Sequence, residues 1–241
     1  MTLEKMLQHR RAVRSYSKTD RIDSEKVKEC LQLAQLAPTS SNLQLREAYH
    51  ITTPKVIAQI AEACFSQRSA TTAQEIVVFI TRQDLYKQRA KAVFDFNLEE
   101  IQNNAPKDRI PARTKKLQDY YQKLIPFLYS RCLGILGCFR KGVSRIKGFS
   151  KPTLREVYES DMQTVVHKSC ALVAQTFMLA MSEQNYDTCP LEGFDSQRIK
   201  KILNLPQGAE VSLVVACGVR AEDGVQGKRF RIPFEEQYKR V

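Results

Sequence analysis

Three guanidinium groups stand within five residues in His9-Arg10-Arg11-Ala12-Val13-Arg14-Ser15-Tyr16. Each offers five donors in a planar fork, a shape that pairs with phosphate and other oxyanions. In an extended backbone, alternation sends Arg10, Ala12 and Arg14 to one face and Arg11 and Val13 to the other. Taken alone, the segment also reads as a solvated basic stretch. A second basic pair near the far end, Arg229 and Arg231 in Gly227-Lys228-Arg229-Phe230-Arg231-Ile232-Pro233, gives it more weight. A third polar group, Ala37-Pro38-Thr39-Ser40-Ser41-Asn42-Leu43-Gln44, is rich in hydroxyl and amide side chains. Such residues bond ligands and backbone alike, and a capped turn before a strand explains them too.

The elements that must position these groups follow from periodicity. Thr2 to His9 reads as a short helix. A clearer one begins with Ser24 as cap and runs through Val27, Cys30-Leu31 and Ala34 until Pro38 stops it. Glu47 to Ile51 is strand-like, and Lys55 to Phe65 returns to helical spacing. Glu75-Ile76-Val77-Val78-Phe79-Ile80 is the continuous apolar run of a strand buried on both faces. Asp161 to Asn185 is the longest helical pattern, apolar or small nearly all round its middle, which suits the centre of a structure or a subunit interface. His167, on that helix, reads as structural rather than catalytic. The segment Asp187 to Phe194 reads as a loop, Ser196 to Leu203 as a short helix and Glu210 to Gly218 as a strand. Few strands separated by helices predict an α+β fold, a mixed, mainly antiparallel central sheet flanked by helices, in one domain spanning 1–241.

Net charge is +12 over 241 residues, but the excess is local. From Lys107 to Lys151 twelve Lys or Arg face only Asp108 and Asp119, a surplus of ten. Within this irregular stretch, 82–160, lies Leu124 to Phe139, apolar and followed by Arg140, Lys141, Arg145 and Lys147. A lid over an apolar pocket and an interfacial helix on a membrane surface share this composition, and the Gly and Pro interruptions favour the lid. The aromatics do not interleave with the cations as stacking platforms for nucleic acid would. Seven scattered cysteines without a CxxC pair, and no His at ligand spacing, argue against a metal site and for a reduced, cytoplasmic setting. No secretory leader or membrane span is expected.

Four motifs, in order and spacing, resemble the nitroreductase family of flavin enzymes: Arg10-Arg11-Ala12-Val13-Arg14, Ala37 to Gln44, Pro190-Leu191-Glu192-Gly193-Phe194, and Arg229-Phe230-Arg231. The resemblance implies an FMN-dependent homodimer with its sites at the subunit interface. It assigns the FMN phosphate to Arg10, Arg229 and Arg231, with Arg11 and Ala12 adding contacts in the same segment. Arg14 is assigned to the pyrimidine edge, where charge develops on reduction. Pro38, Thr39, Ser40 and Asn42 match positions that reach the flavin from the partner subunit. Pro190, Leu191, Glu192 and Gly193 match the loop on the opposite ring face, the Glu192 N–H donating to N5. Gln67 falls where the family places an amide. The implied chemistry needs no protein acid or nucleophile: NADH or NADPH reduces the flavin, and a nitroaromatic or quinone-like small molecule reoxidises it in ping-pong fashion.

The chain departs from the family in having Gln44-Leu45-Arg46 where Gln-Pro-Trp is common, and in the long basic insertion at 82–160. Both leave the oxidant open. Alternatives are a specialised enzyme of the same fold, a reductive dehalogenase or dehydrogenase, or a basic membrane-peripheral or nucleic-acid-binding protein without redox activity.

Overall fold

The computed structural model describes residues 1–241. Its helices before the sheet's second strand are α1 (Leu3–His9), α2 (Ser24–Ala34), α3 (Pro54–Ala63) and α4 (Arg68–Thr71), with β1 (Arg46–Ile51) between α2 and α3. After β2 (Glu75–Thr81) come α5 (Tyr86–Asn104), α6 (Ile110–Gln118), α7 (Ile125–Tyr129), α8 (Ile135–Lys147) and α9 (Glu159–Glu183). The chain then runs through β3 (Asp187–Leu191), α10 (Ser196–Ile202) and β4 (Glu210–Gly218) to α11 (Phe234–Gln237). The sheet order is β1-β2-β4-β3, every pair antiparallel.

β2 sits in the middle because its sequence gives both neighbouring layers an apolar face. Ile76, Val78 and Ile80 pack with α3 and α10, through Ile57, Ile60 and Ile199. Val77 and Phe79 face α2 and α9, where Phe79 meets Phe177 with ring centroids 5.6 Å apart. Fully burying one such ring stabilises by about 2–3 kcal/mol. A third cluster joins α5, α7 and α9 to Leu43 and Leu45, which follow the Thr39–Asn42 turn. Along α9, Val173, Ala174, Phe177 and Met181 are buried, whereas Ala171 and Leu172 are exposed. The helix is long and apolar enough to span a bilayer, but it is the central core helix of this fold.

Three expectations are corrected. Asp187 to Leu191 is a strand, not a loop: it pairs with β4 at the sheet edge, where Pro190 need not donate to a ladder. The 82–160 stretch is mostly helical: Pro111 stands in the first turn of α6, where a missing N–H costs nothing, and Pro126 follows a π-helical segment, Asp119–Leu124, that runs without a break from α6 into α7. α2 is capped by Asp23 rather than Ser24, whose hydroxyl instead donates to Glu75, and it ends at Ala34, before Pro38 could stop it.

His167 is structural, as expected. Its Nδ1 lies 3.0 Å from Ser212 Oγ and its Nε2 3.1 Å from Glu210 Oε2. Glu210 also accepts from Arg131 Nη1 at 2.9 Å and Gln163 Nε2 at 2.6 Å. The His167 bond foremost, then Arg131 and Gln163, hold its carboxyl down at about 2 against the opposing pull of burial. A carboxylate held below its unfolded value stabilises the fold above that value, and the stabilisation disappears as pH falls through the folded one. Glu210→Gln is therefore expected to cost about 2 kcal/mol in urea unfolding at neutral pH, and the two proteins should converge between about pH 4 and pH 2. An undiminished gap at pH 2 would show that the loss came from packing and not from charge.

Candidate functional site

Residues 10–16 run beside β3 without the strict alternation of faces, since Arg11 lines the same cavity as Arg10 and Arg14. Val13 is fully buried, Ala12 bridges to Thr188 beside β3, and the Arg14 N–H donates to Gly224 O at 2.7 Å. The tail approaches this closely because Gly224 has no side chain: a Cβ there would lie 2.6 Å from Ser15 O.

The two ends of the chain meet in a cavity of about 290 Å³ lined by Arg10, Arg11, Ala12, Arg14, Gln226, Lys228, Arg229, Phe230 and Arg231. Six of these nine side chains are cationic and none is acidic. Arg229 is held rigidly, its guanidinium donating to the carbonyls of Leu7 (2.9 Å), Gln8 (3.0 Å) and Arg10 (2.7 Å), the orphan acceptors at the end of α1. Arg11 donates to Gly227 O at 3.1 Å, and Arg14 Nη1 points to Cys189 Sγ at 3.7 Å. Arg231 caps only its neighbour's carbonyl, Phe230 O. Arg10 has no partner for its side chain. Burial first, then the charges of Arg229, Arg231 and Arg11, pulls its pKa below the usual guanidinium value. A half-buried, unpaired cation among cations is a site built for an anion.

One side of this cavity is fixed by a group that sequence reading missed. Asp187, at the start of β3, is buried and accepts from Arg220 through its backbone N–H (2.8 Å), Nε (2.9 Å) and Nη2. Arg220 Nη2 also donates to His9 O at 2.9 Å, immediately before Arg10. Nothing local in sequence marks an Asp and an Arg 33 positions apart as partners. Lys228, by contrast, adjoins Arg229 and could have been read as part of the cluster.

Pro190 and Leu191 end β3, with the Leu191 side chain in the core, so its backbone is what it offers to the surface. Glu192 and Gly193 are exposed beyond it. Gln67 Nε2 donates to Gly193 O at 3.0 Å, which ties the 190–194 loop to the turn before α4. That turn holds Phe65 and Ser66 at φ of 57° and 51°.

Pro38, Thr39, Ser40 and Asn42 are elsewhere. Ser40 N–H donates to Ser169 Oγ on α9, whereas α1 meets the same helix at Ser182, whose hydroxyl donates to Met6 O. Thirteen residues of helix separate the two attachment points, about 20 Å. The small cavity around Thr39 and Ser40 shares no residue with the arginine cavity. Ser41, Asn42 and Gln44 all have positive φ (50–53°), a strained run that its surroundings must hold. Three tyrosines of the 82–160 stretch do so: Tyr120 OH meets Ser41 Oγ (2.7 Å), Tyr121 OH donates to Ser41 O (3.1 Å) and Tyr129 OH to Ser40 Oγ (3.3 Å). Burial raises the pKa of Tyr121 and Tyr129, which keeps both hydroxyls protonated as donors.

Comparison with known proteins agrees with this architecture. The chain is 24 % identical over 224 residues to Protein DrgA of Synechocystis, covering 93 % of this chain and 87 % of that one. It is 24 % identical over 226 residues to the NADH dehydrogenase of Thermus thermophilus, covering 94 % and 89 %. Among solved structures, a protein of Exiguobacterium sibiricum in complex with FMN superposes with a TM-score of 0.68 at 19 % identity, covering 100 % of this chain and 98 % of that one. Residues 7–219, nearly the whole length, match the nitroreductase family profile, and this chain belongs to that family.

Proposed function

We propose that the protein is a flavin-dependent oxidoreductase that holds FMN between two copies of itself, takes reducing equivalents from NADH or NADPH and passes them to a nitroaromatic or quinone-like acceptor. The observation that carries this is the unpaired Arg10 guanidinium in an acid-free cavity with Arg229 and Arg231. A terminal phosphate dianion supplies what those three cations lack. The FMN complex of the E. sibiricum relative supports the reading, as does the T. thermophilus relative, an NADH dehydrogenase.

Arg10, Arg229 and Arg231 would hold the phosphate, with Arg11 and the Ala12 backbone beside them. Arg229 is preorganised by three carbonyls, so little side-chain entropy is lost when the anion arrives. Arg14 would place its charge toward the electron-rich edge of the ring. Pro190 to Gly193, braced by Gln67, would form one wall of the ring site, with the Glu192 N–H free to donate into it. When bound, FMN supplies two-electron transfer chemistry that no side chain of this protein can perform.

Pro38, Thr39, Ser40 and Asn42 lie too far along α9 to complete this pocket within one chain. In a twofold homodimer they complete the partner's site, and the uncovered Ala171–Leu172 surface of α9 is the apolar ground for that contact. The 82–160 insertion then borders each site through the tyrosines that grip the Ser40–Ser41 turn. The test is the visible spectrum of the purified protein together with its sedimentation. A flavin spectrum at one FMN per chain, bleached anaerobically by NADH or NADPH, in a species of twice the chain mass is expected. A colourless protein that does not take up added FMN would overturn the reading.

A further inference from the structure

Helix α8 is inside out for a protein surrounded by water. Its inward face is made of Gly137, Arg140 and Ser144, all buried. Gly137 lies so close to the start of α9 that a Cβ would stand 2.9 Å from Glu159 N, and Ser144 donates to Leu154 O. Arg140 turns under the helix to Ser130, its guanidinium 5.7 Å from the centre of the Phe127 ring. The outward face carries Ile135, Phe139 and Ile146, which are 67 %, 61 % and 73 % exposed. Leu133 before the helix and Phe149 after it extend the patch, at 98 % and 87 %. A helix that faces water on one side presents its polar face to it; this one does the reverse.

Spacing of 100° per residue puts Ile135, Phe139 and Ile146 within about 40° of one another, with Arg145 on one margin of the apolar arc and Lys147 on the other. Both are exposed, and neither pairs with a carboxylate. No acidic residue occurs anywhere between Asp119 and Glu156. Apolar side chains outward with cations at both margins are what a helix lying in the plane of a lipid headgroup layer requires, the long basic stems reaching up to phosphate.

We propose that the outward face of α8, with Leu133 and Phe149, docks this protein on an anionic phospholipid surface. A second copy is a poorer occupant: an isologous contact would bring Arg145 and Lys147 of one chain against the same cations of the other, with no acid in the patch to neutralise them. A lid role is poorer too, since these side chains stand largely open to solvent within their own chain. The proposal is independent of the flavin reading, because it uses no residue of either cavity. The glycines that interrupt the pattern in sequence do not break the helix: Gly137 is the seat of α8 on α9, and Gly142 lies in open space.

Flotation of the purified full-length protein, with whatever cofactor it carries, tests this against vesicles of phosphatidylglycerol and phosphatidylcholine and against phosphatidylcholine alone, at low and high salt. Binding to the anionic vesicles, weakened by salt and nearly absent on the neutral ones, is expected. R145Q/K147Q, at exposed side chains that make no hydrogen bond or ion pair, should lower the partition coefficient about thirtyfold, and F139S/I146S should abolish it. Flavin content and circular dichroism should stay at parent values in both. Equal recovery with neutral vesicles, no recovery with anionic ones, or an unchanged coefficient in R145Q/K147Q would overturn the proposal. So would a change of sedimenting mass in F139S/I146S, which would make the face a contact between copies.

Discussion

Arg10→Ala is expected to weaken FMN binding by about a hundredfold while leaving the flavin-free protein as stable as before, or slightly more so. The guanidinium has no acceptor within the chain, and burial and three neighbouring cations disfavour its charge. Removing it therefore relieves an unfavourable interaction in the apo fold. In the complex the same residue faces a dianion, and losing a bidentate, charge-assisted contact costs about 3 kcal/mol, which is the hundredfold. Opposite signs in the two states are the signature of a binding residue. A residue that merely held the fold would lower both. Fluorescence titration of apoprotein with FMN measures the first quantity and thermal unfolding of apoprotein the second. Affinity within threefold of the parent would place the phosphate elsewhere. Arg229→Ala makes a useful contrast, because its three bonds to the carbonyls ending α1 are lost as well. There the apo protein should lose stability too.

The difference between these two arginines also marks how far sequence could go. Residue type and clustering made Arg10, Arg11, Arg14, Arg229 and Arg231 stand out as candidates, because guanidinium forks match oxyanion geometry, and the structure gathers all five at one cavity. The element pattern was equally legible where one period dominates, as in β2 and α9. What failed were places where tertiary position overrides a local rule. Pro190 argues against a strand until β3 is known to be an edge. Gly and Pro in 110–142 argue against helices until Pro111 falls on the first turn of α6, Pro126 is seen to follow the π-helical segment at 119–124, and Gly137 is seen against Glu159 N. The tyrosines at 120, 121 and 129 carry no periodic signal that would join them to residues 40 and 41, some eighty positions upstream. The separation of Thr39–Asn42 from the arginines along α9 has no counterpart in sequence at all. It is a distance, and a single chain's sequence cannot tell whether one copy or two must close it.

Asp187→Ala should be the most damaging single change to the fold around the site, at about 3 kcal/mol in urea unfolding. Its carboxylate is buried and accepts from three N–H groups of Arg220, and His9 Nε2 stands 3.3 Å away. Truncation leaves the Arg220 guanidinium, about one-third exposed, beside a cavity that already holds six cations and no acid. Removing one partner of a well-buried pair costs about 3–5 kcal/mol, and the exposure of Arg220 places this case at the lower end. Arg220→Ala alone strands a buried carboxylate instead, so it should cost a similar amount. The double variant strands no charge, only the backbone N–H of residue 220, and it should be less destabilised than the sum of the singles by about 2 kcal/mol. FMN affinity should move far less than in Arg10→Ala, within about tenfold, because Arg229 still clamps the end of α1 through Leu7, Gln8 and Arg10. Asp187→Asn separates shape from charge: its remaining oxygen can still accept from the Arg220 backbone N–H, but its new amide would face Nη2 donor to donor. It should fall between parent and alanine. If the double variant were destabilised by the full sum of the two singles, Asp187 and Arg220 would not act as a pair, and the placement of Arg10 would have to rest on the α1 clamp alone.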